Sequence, residues 1–220
     1  MAAADNYNKW LVEHAKPFVG SRVLDFGAGT GTFTAALTAR ADVVAIEPDP
    51  TFASRLRMRF ADNARVAVVE ADAAWLAGDG PRGAFDTVLC LNVLEHIGDD
   101  ALVLRSFHDC LVPGGHLLLL VPAHRRLYGK IDRSVGHERR YSRGPLRRLV
   151  EEAGLEPVEI RYVNPFGAVG WLVASRVLRR DQVPAGPLRA YDRLIPVLRR
   201  LDRLHLPFGL SLWTVARRAT

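Results

Sequence analysis

The stretch Val23-Leu24-Asp25-Phe26-Gly27-Ala28-Gly29-Thr30-Gly31-Thr32-Phe33 decides how this chain folds. An apolar run of strand character carries an acid near its end, three glycines follow at alternate positions, and a helix-compatible segment starts at Thr32. Strand, tight turn and helix start in that order are how an open α/β sheet builds a small-molecule pocket at its carboxyl edge. Glycine admits positive φ and lets backbone N–H groups approach a ligand with no Cβ in between. The spacing departs from the dinucleotide pattern G-x-G-x-x-G, because Thr32 stands where the third glycine would fall. An anionic Asp25 would repel a diphosphate and suits a ligand that carries an ammonium group.

Working outward, Asn6 to His14 reads as a short helix with Trp10, Leu11 and His14 near one face, stopped by Pro17. Strands are expected at about 22–26, 42–46, 66–70, 85–91, 117–121, 156–163 and 210–216, with helices between the first five at about 31–40, 51–60 and 99–111. Glu47 ends the second strand, 22 residues after Asp25, where a carboxylate can accept two hydrogen bonds from a ribose diol. Asp72 and Ala73 follow the third strand, and Trp75 or Leu76 then serves either the core or a ligand face.

Asp25 to Gly31 resembles the first motif of class I S-adenosylmethionine-dependent methyltransferases. The phrase Phe85-Asp86-Thr87-Val88 running to Val93-Leu94-Glu95-His96 is similar to a second signature of that family, and Leu111-Val112-Pro113-Gly114-Gly115 to a third, structural one. The likeness spans residues 22–122 with its parts in the family's order. It implies a Rossmann-like α/β fold, a seven-stranded and mainly parallel sheet whose last strand is antiparallel. It also implies S-adenosyl-L-methionine as cofactor and S-adenosyl-L-homocysteine as product. By resemblance, Asp25, Gly27, Ala28, Gly29 and Gly31 hold the amino-acid end, and Glu47 with Pro48 the ribose. Asp72 accepts from the adenine amine and Ala73 donates a backbone N–H. The fourth strand adjoins the first, so Leu91 and Asn92 lie near the reactive methyl, and His96 borders the cofactor or is satisfied by helix-end carbonyls.

Residues 123–142 show little apolar periodicity and many reactive side chains, so a functional loop without regular structure is expected at the active edge. Gly136-His137-Glu138-Arg139-Arg140-Tyr141 is similar to a subgroup of bacterial class I methyltransferases of lipid, polyprenol and natural-product pathways. A hydroxyl acceptor must lose a proton, which a histidine titrating near neutrality can take. His137 is the first candidate base and His124 the second. Arg139 and Arg140 are read as an anion clamp, with Tyr128 and Tyr141 beside the acceptor. No metal is expected.

The chain has 220 residues and a net charge of +6, enough for one domain with a full core. Residues 1–121 hold 10 Lys and Arg against 15 Asp and Glu, and residues 122–220 hold 20 against 9. The first part is therefore read as the cofactor-binding half and the second as the acceptor-side half of a single domain. About 164–208 form a helical insertion before the last strand. Phe166 to Ala174 is almost wholly apolar, and Leu188, Tyr191, Leu194, Ile195, Leu198, Leu201 and Leu204 recur at helical spacing among Arg189, Arg193, Arg199, Arg200 and Arg203. Such a pair of segments can roof an acceptor pocket, form a homodimer face, or lie peripherally on an anionic membrane. Nucleic acid is not expected, since no aromatic stacking pattern interleaves with the charges. No apolar stretch of about 18 residues and no secretory leader stand out, and Cys90 and Cys110 read as buried thiols of a cytoplasmic protein.

The sequence thus points to a methyltransferase for a small or lipid-like acceptor, O-methylation favoured by the histidines. A non-catalytic cofactor-binding partner and a nicotinamide oxidoreductase are the rival readings.

Overall fold

The computed structural model describes residues 5–172, 185–198 and 206–220. Seven strands form one sheet in the order β3-β2-β1-β4-β5-β7-β6, with β1 Arg22–Phe26, β2 Asp42–Ile46, β3 Val66–Val69, β4 Phe85–Leu91, β5 Leu111–Pro122, β6 Leu155–Val163 and β7 Ser211–Arg218. β1 to β5 pair in parallel, and β7 runs antiparallel to both neighbours, with Leu120 opposite Trp213 and Tyr162 opposite Leu212. The resemblance implied this mixed sheet, and β4 lies beside β1 as expected.

Helices cover both faces, which is why the central strands read as unbroken apolar runs. Side chains of β5 alternate between two cores. Leu117, Leu119 and Val121 join one with Phe107, Leu146 and Val150, while Leu118 and Leu120 join the other with Trp10, Leu11 and Trp213. On the first face lie α5 (Asp100–Cys110) and α7 (Arg143–Glu152), which turn Val103, Leu104, Phe107, Leu146 and Val150 inward at helical spacing. On the second lies α1 (Asp5–Ala15). The helices α2 (Thr32–Leu37), α3 (Pro50–Arg59) and α4 (Ala73–Gly78) follow β1, β2 and β3. α3 starts on a sound cap, with Asp49 accepting from the Thr51 and Phe52 amides and Pro50 at the first helical position.

Two expectations are corrected. Residues 123–142 are not devoid of regular structure, because a 3₁₀ turn at Arg125–Leu127 and the helix α6 (Lys130–Ser134) stand within them. α6 escapes periodicity because it is one short, mostly charged turn whose Asp132 Oδ2 accepts from the Gly129 N–H at 2.9 Å. The fifth strand starts at Leu111 rather than Leu117. The Pro-Gly-Gly phrase sits inside it, accommodated by Gly114 at φ +79° and by a register shift against β4.

The insertion holds α8 (Pro165–Leu172) and α9 (Ala185–Leu198). Val173, Ala174, Arg199, Arg200, Leu201, Arg203 and Leu204, which the sequence places in its helices, lie outside the described residues. α9 is tied to α1, where Asp192 accepts from the Asn6 and Tyr7 amides at 3.2 and 3.0 Å and so satisfies a helix start. Tyr7 and Trp10 line a small, shallow cleft with Asn164, Phe166, Tyr191 and Ile195.

Candidate active site

The carboxyl edge of the sheet carries a row of acids because three parallel strands end there in sequence order. Asp25 lies in β1, Glu47 follows β2, and Asp72 caps α4 just after β3. Neighbouring strands lie about 4.8 Å apart, so the row runs over roughly 10 Å from β3 to β1. Gly27, Gly29 and Gly31 all hold positive φ, at +75°, +55° and +73°. A Cβ on Gly27 would stand 2.4 Å from Val93 Cγ2, so this turn packs directly on the segment after β4. A Cβ on Gly29 would meet nothing within 4 Å, and its N–H is held by Glu47 Oε2 at 2.8 Å.

Glu47 is buried and also takes the Asp49 N–H on Oε1 at 3.0 Å, leaving each oxygen a further lone pair. Pro48 is exposed beside it. Asp72 is exposed, with Oδ1 on the Trp75 amide at 3.0 Å, and Ala73 opens α4 behind it. Leu76 is a core side chain, whereas Trp75 is half-buried. Ala28 is buried, Leu91 is half-buried, and Asn92 closes β4 with φ +55°, a conformation that costs a non-glycine residue and persists where neighbours impose it.

Asp25 is 4% exposed, and its Oδ2 accepts from Thr34 Oγ1 at 2.6 Å. Burial pushes its carboxyl from the ordinary 3.8 up to about 6, the Thr34 hydrogen bonds oppose the rise, and the Glu47 charge adds to it. An acid whose folded pKa is raised holds its proton more tightly when folded. That stability is present below pH 4 and is lost as pH climbs through 6. Asp25→Asn, which cannot ionise, is expected to stabilise the ligand-free protein at pH 8 by on the order of 2 kcal/mol. The gain should shrink towards pH 5, as urea denaturation at the two pH values would read.

Across the edge, Glu95 and His96 sit in the 3₁₀ turn Leu94–His96 after β4, and the 123–142 segment folds over them from the end of β5. The Glu138 N–H donates to the Glu95 carbonyl at 2.8 Å, and Tyr128 Oη to the His137 carbonyl at 2.9 Å. These bonds place the His137 ring 4.8 Å from that of His96 in an edge contact. His137 Nδ1 meets Asp132 Oδ1 at 3.0 Å, and its Nε2 stands 3.7 Å from Glu95 Oε1. His96 Nδ1 bonds the Gly136 carbonyl at 3.0 Å. The Glu95 carboxylate is wholly buried with no hydrogen-bond partner on either oxygen, and burial pushes it up to about 8.

The structure therefore gathers His137 and His96 and leaves His124 apart. His124 stacks on Tyr162, ring centroids 4.9 Å apart and 3° from parallel, with φ +62°. Arg139 and Arg140 do not converge as an anion clamp. Arg140 is buried, with Nε on Asp132 Oδ1 at 2.7 Å, Nη1 on the Ala123 carbonyl and the guanidinium over Trp171. Arg139 pairs with Asp100 and Glu138 and bonds the Gly98 carbonyl. Tyr141 is buried with its hydroxyl on Asp100. Sequence reasoning gave Glu95 no role. The signal was there, a carboxylate between Leu94 and a histidine in an otherwise apolar phrase.

Residues 2–160 match the family described as Methyltransferase domain. The chain belongs to that family. The methyltransferase is 32% identical over 196 residues to the ubiquinone biosynthesis O-methyltransferase of Ralstonia nicotianae, covering 75% of this chain and 80% of the relative. Other relatives of that name match over a shorter stretch, and the chain spans about half their length, 46% for the protein of Acinetobacter baylyi. A putative methyltransferase from Bacillus halodurans superposes with TM-score 0.66 at 18% identity over 96% of this chain and 98% of its own. The 1,6-didemethyltoxoflavin-N1-methyltransferase of Burkholderia thailandensis, solved with S-adenosylhomocysteine, gives 0.61 at 18% over 99% and 79%. At such identity these structures share the fold.

Proposed function

We propose that this methyltransferase moves a methyl group from S-adenosylmethionine to a hydroxyl of a small or lipid-like acceptor. The observation that carries the reading is the row of carboxylates behind a glycine turn at the carboxyl edge, in the spatial order that the cofactor's parts require. Asp72 with the Ala73 N–H would take the adenine, Glu47 beside Pro48 the ribose diol, and Asp25 with Gly27, Ala28, Gly29 and Gly31 the amino-acid end. Leu91, Asn92 and His96 border the reacting centre. The bound cofactor supplies an electrophilic methyl on a sulfonium.

The chain's own part is alignment and removal of the acceptor's proton. His137 suits the second task because Asp132 holds its Nδ1, which leaves the lone pair on Nε2, 3.7 Å from Glu95 Oε1. The curated relatives' shared name, ubiquinone biosynthesis O-methyltransferase, supports O-methylation. Residues 1–121 form the cofactor side and 122–220 the acceptor side of one domain, with α8 and α9 walling an apolar part of the acceptor against Tyr7 and Trp10. The exposed Phe166, Val169, Leu172, Leu194 and Val197 extend that wall to a second copy or a membrane surface. Among the described residues no helix is long and apolar enough to cross a membrane.

Calorimetry with S-adenosylhomocysteine tests the cofactor site. Wild type is expected to bind, and Glu47→Ala to bind at least about tenfold more weakly, the loss of a buried charged acceptor for two hydroxyls. No heat with wild type overturns the reading. Labelled S-adenosylmethionine with a panel of phenolic and prenylated acceptors then separates an enzyme from a binding subunit.

A further inference from the structure

We propose that Glu95, His96 and His137 form a site for one divalent transition-metal ion of the zinc class. One ligand atom from each residue lies within 4.8 Å of the others, close enough for a single ion to touch all three. The Glu95 carboxylate supplies the independent evidence, since it is 0% exposed, faces His137 Nε2 at 3.7 Å and has no hydrogen-bond partner. A buried carboxylate left so is costly unless a cation or donor meets it. Arg140, whose charge acts on Glu95, spends its Nε on Asp132 and its Nη1 on the Ala123 carbonyl.

Both histidines are set as metal ligands usually are. Each has Nδ1 on an oxygen acceptor, the Gly136 carbonyl for His96 and the Asp132 carboxylate for His137, which fixes the tautomer and leaves Nε2 with its lone pair. The rings are held from behind as well, by the His137 N–H on the Asp132 carbonyl at 2.9 Å and the Glu138 N–H on the Glu95 carbonyl. Two imidazoles and one carboxylate suit zinc, cobalt, nickel or iron rather than magnesium or calcium, which prefer oxygen throughout. Three protein ligands leave at least one position open, as in catalytic zinc sites. His96 is exposed, so that position is reached from solvent. Sequence alone suggests no metal, since His137 lies 41 residues from His96 and only the fold joins them.

The use of the ion rests on the methyl-transfer reading, in which its charge would favour the ionised form of an acceptor hydroxyl beside it. Its binding does not. Untagged, chelator-treated protein titrated with cobalt(II) is expected to take up one ion per chain, with the visible absorption of a low-coordinate cobalt site, and zinc should displace it. Glu95→Gln, His96→Ala and His137→Ala should each weaken uptake by about 100-fold, and Asp132→Asn by about 10–100-fold through the His137 ring. Circular dichroism and urea denaturation report whether each variant is folded. Because His96 is exposed, His96→Ala keeps the test decisive if the buried variants fail to fold. Uptake well below one ion, or uptake unchanged in His96→Ala, overturns the site. Wild type that binds S-adenosylhomocysteine and no cobalt would end this proposal and leave methyl transfer standing; cobalt binding without the nucleoside would do the reverse.

Discussion

Methyl transfer by His137→Gln is expected to fall by about 10²–10⁴-fold, the usual worth of a positioned proton acceptor, while affinity for S-adenosylhomocysteine stays unchanged. Glutamine keeps much of the volume and can still donate to Asp132, so the loop should remain seated. The two effects separate because His137 hangs from the end of β5 on the 123–142 segment, whereas the acids proposed to hold the nucleoside lie in β1 and just after β2 and β3. A single-turnover assay with saturating labelled donor measures the chemical step free of product release. Either role for Nε2, taking the proton or holding a cation that favours its loss, predicts the fall. An unchanged rate would remove His137 from both, and a parallel loss of nucleoside affinity would mean that the substitution had disturbed the β4 end as well.

The sheet and the row of acids at its carboxyl edge are legible in the sequence because both are local. Asp25 and its glycines lie in one turn, Glu47 ends the next strand, and Asp72 caps the helix after the third. The parallel order of strands then aligns them without any long-range packing to be guessed. The acceptor side is different in kind. Glu95 and His137 are 42 positions apart, and their meeting depends on how 123–142 folds back through the Glu138–Glu95 and Tyr128–His137 backbone bonds. Arg139, Arg140 and Tyr141 read as ligands for an anion because sequence shows their charge but not their partners. The fold spends all three on Asp100, Asp132, Glu138 and backbone carbonyls. A cluster of basic residues next to a histidine is thus read from sequence as an anion site where the fold uses it to brace the segment that carries His137.

Arg140→Ala is expected to destabilise the protein by about 3–5 kcal/mol, because it leaves the buried Asp132 carboxylate without its counter-charge. Asp132 side-chain exposure is 0% and that of Arg140 is 1%, so solvent screens neither partner. Burial alone would raise the Asp132 carboxyl. The hydrogen bonds of His137 and Arg140 overcome it and hold the group below the ordinary carboxylate range. Asp132→Ala should cost about as much, since it leaves the guanidinium buried and unpaired. Pairing the two as Arg140→Met with Asp132→Leu removes both charges and fills the space, so its cost should fall well short of the sum of the single substitutions. Urea denaturation of wild type, Arg140→Met, Asp132→Leu and the double variant closes that cycle. Additive losses would mean that the two side chains act separately, and the segment carrying His137 would then be held by its backbone bonds and Tyr128 rather than by a buried ion pair. Strong coupling would instead make the pair the anchor that keeps His137 over Glu95, and the charge-free double variant should still fold while its His137 ring, deprived of Asp132, loses its fixed tautomer.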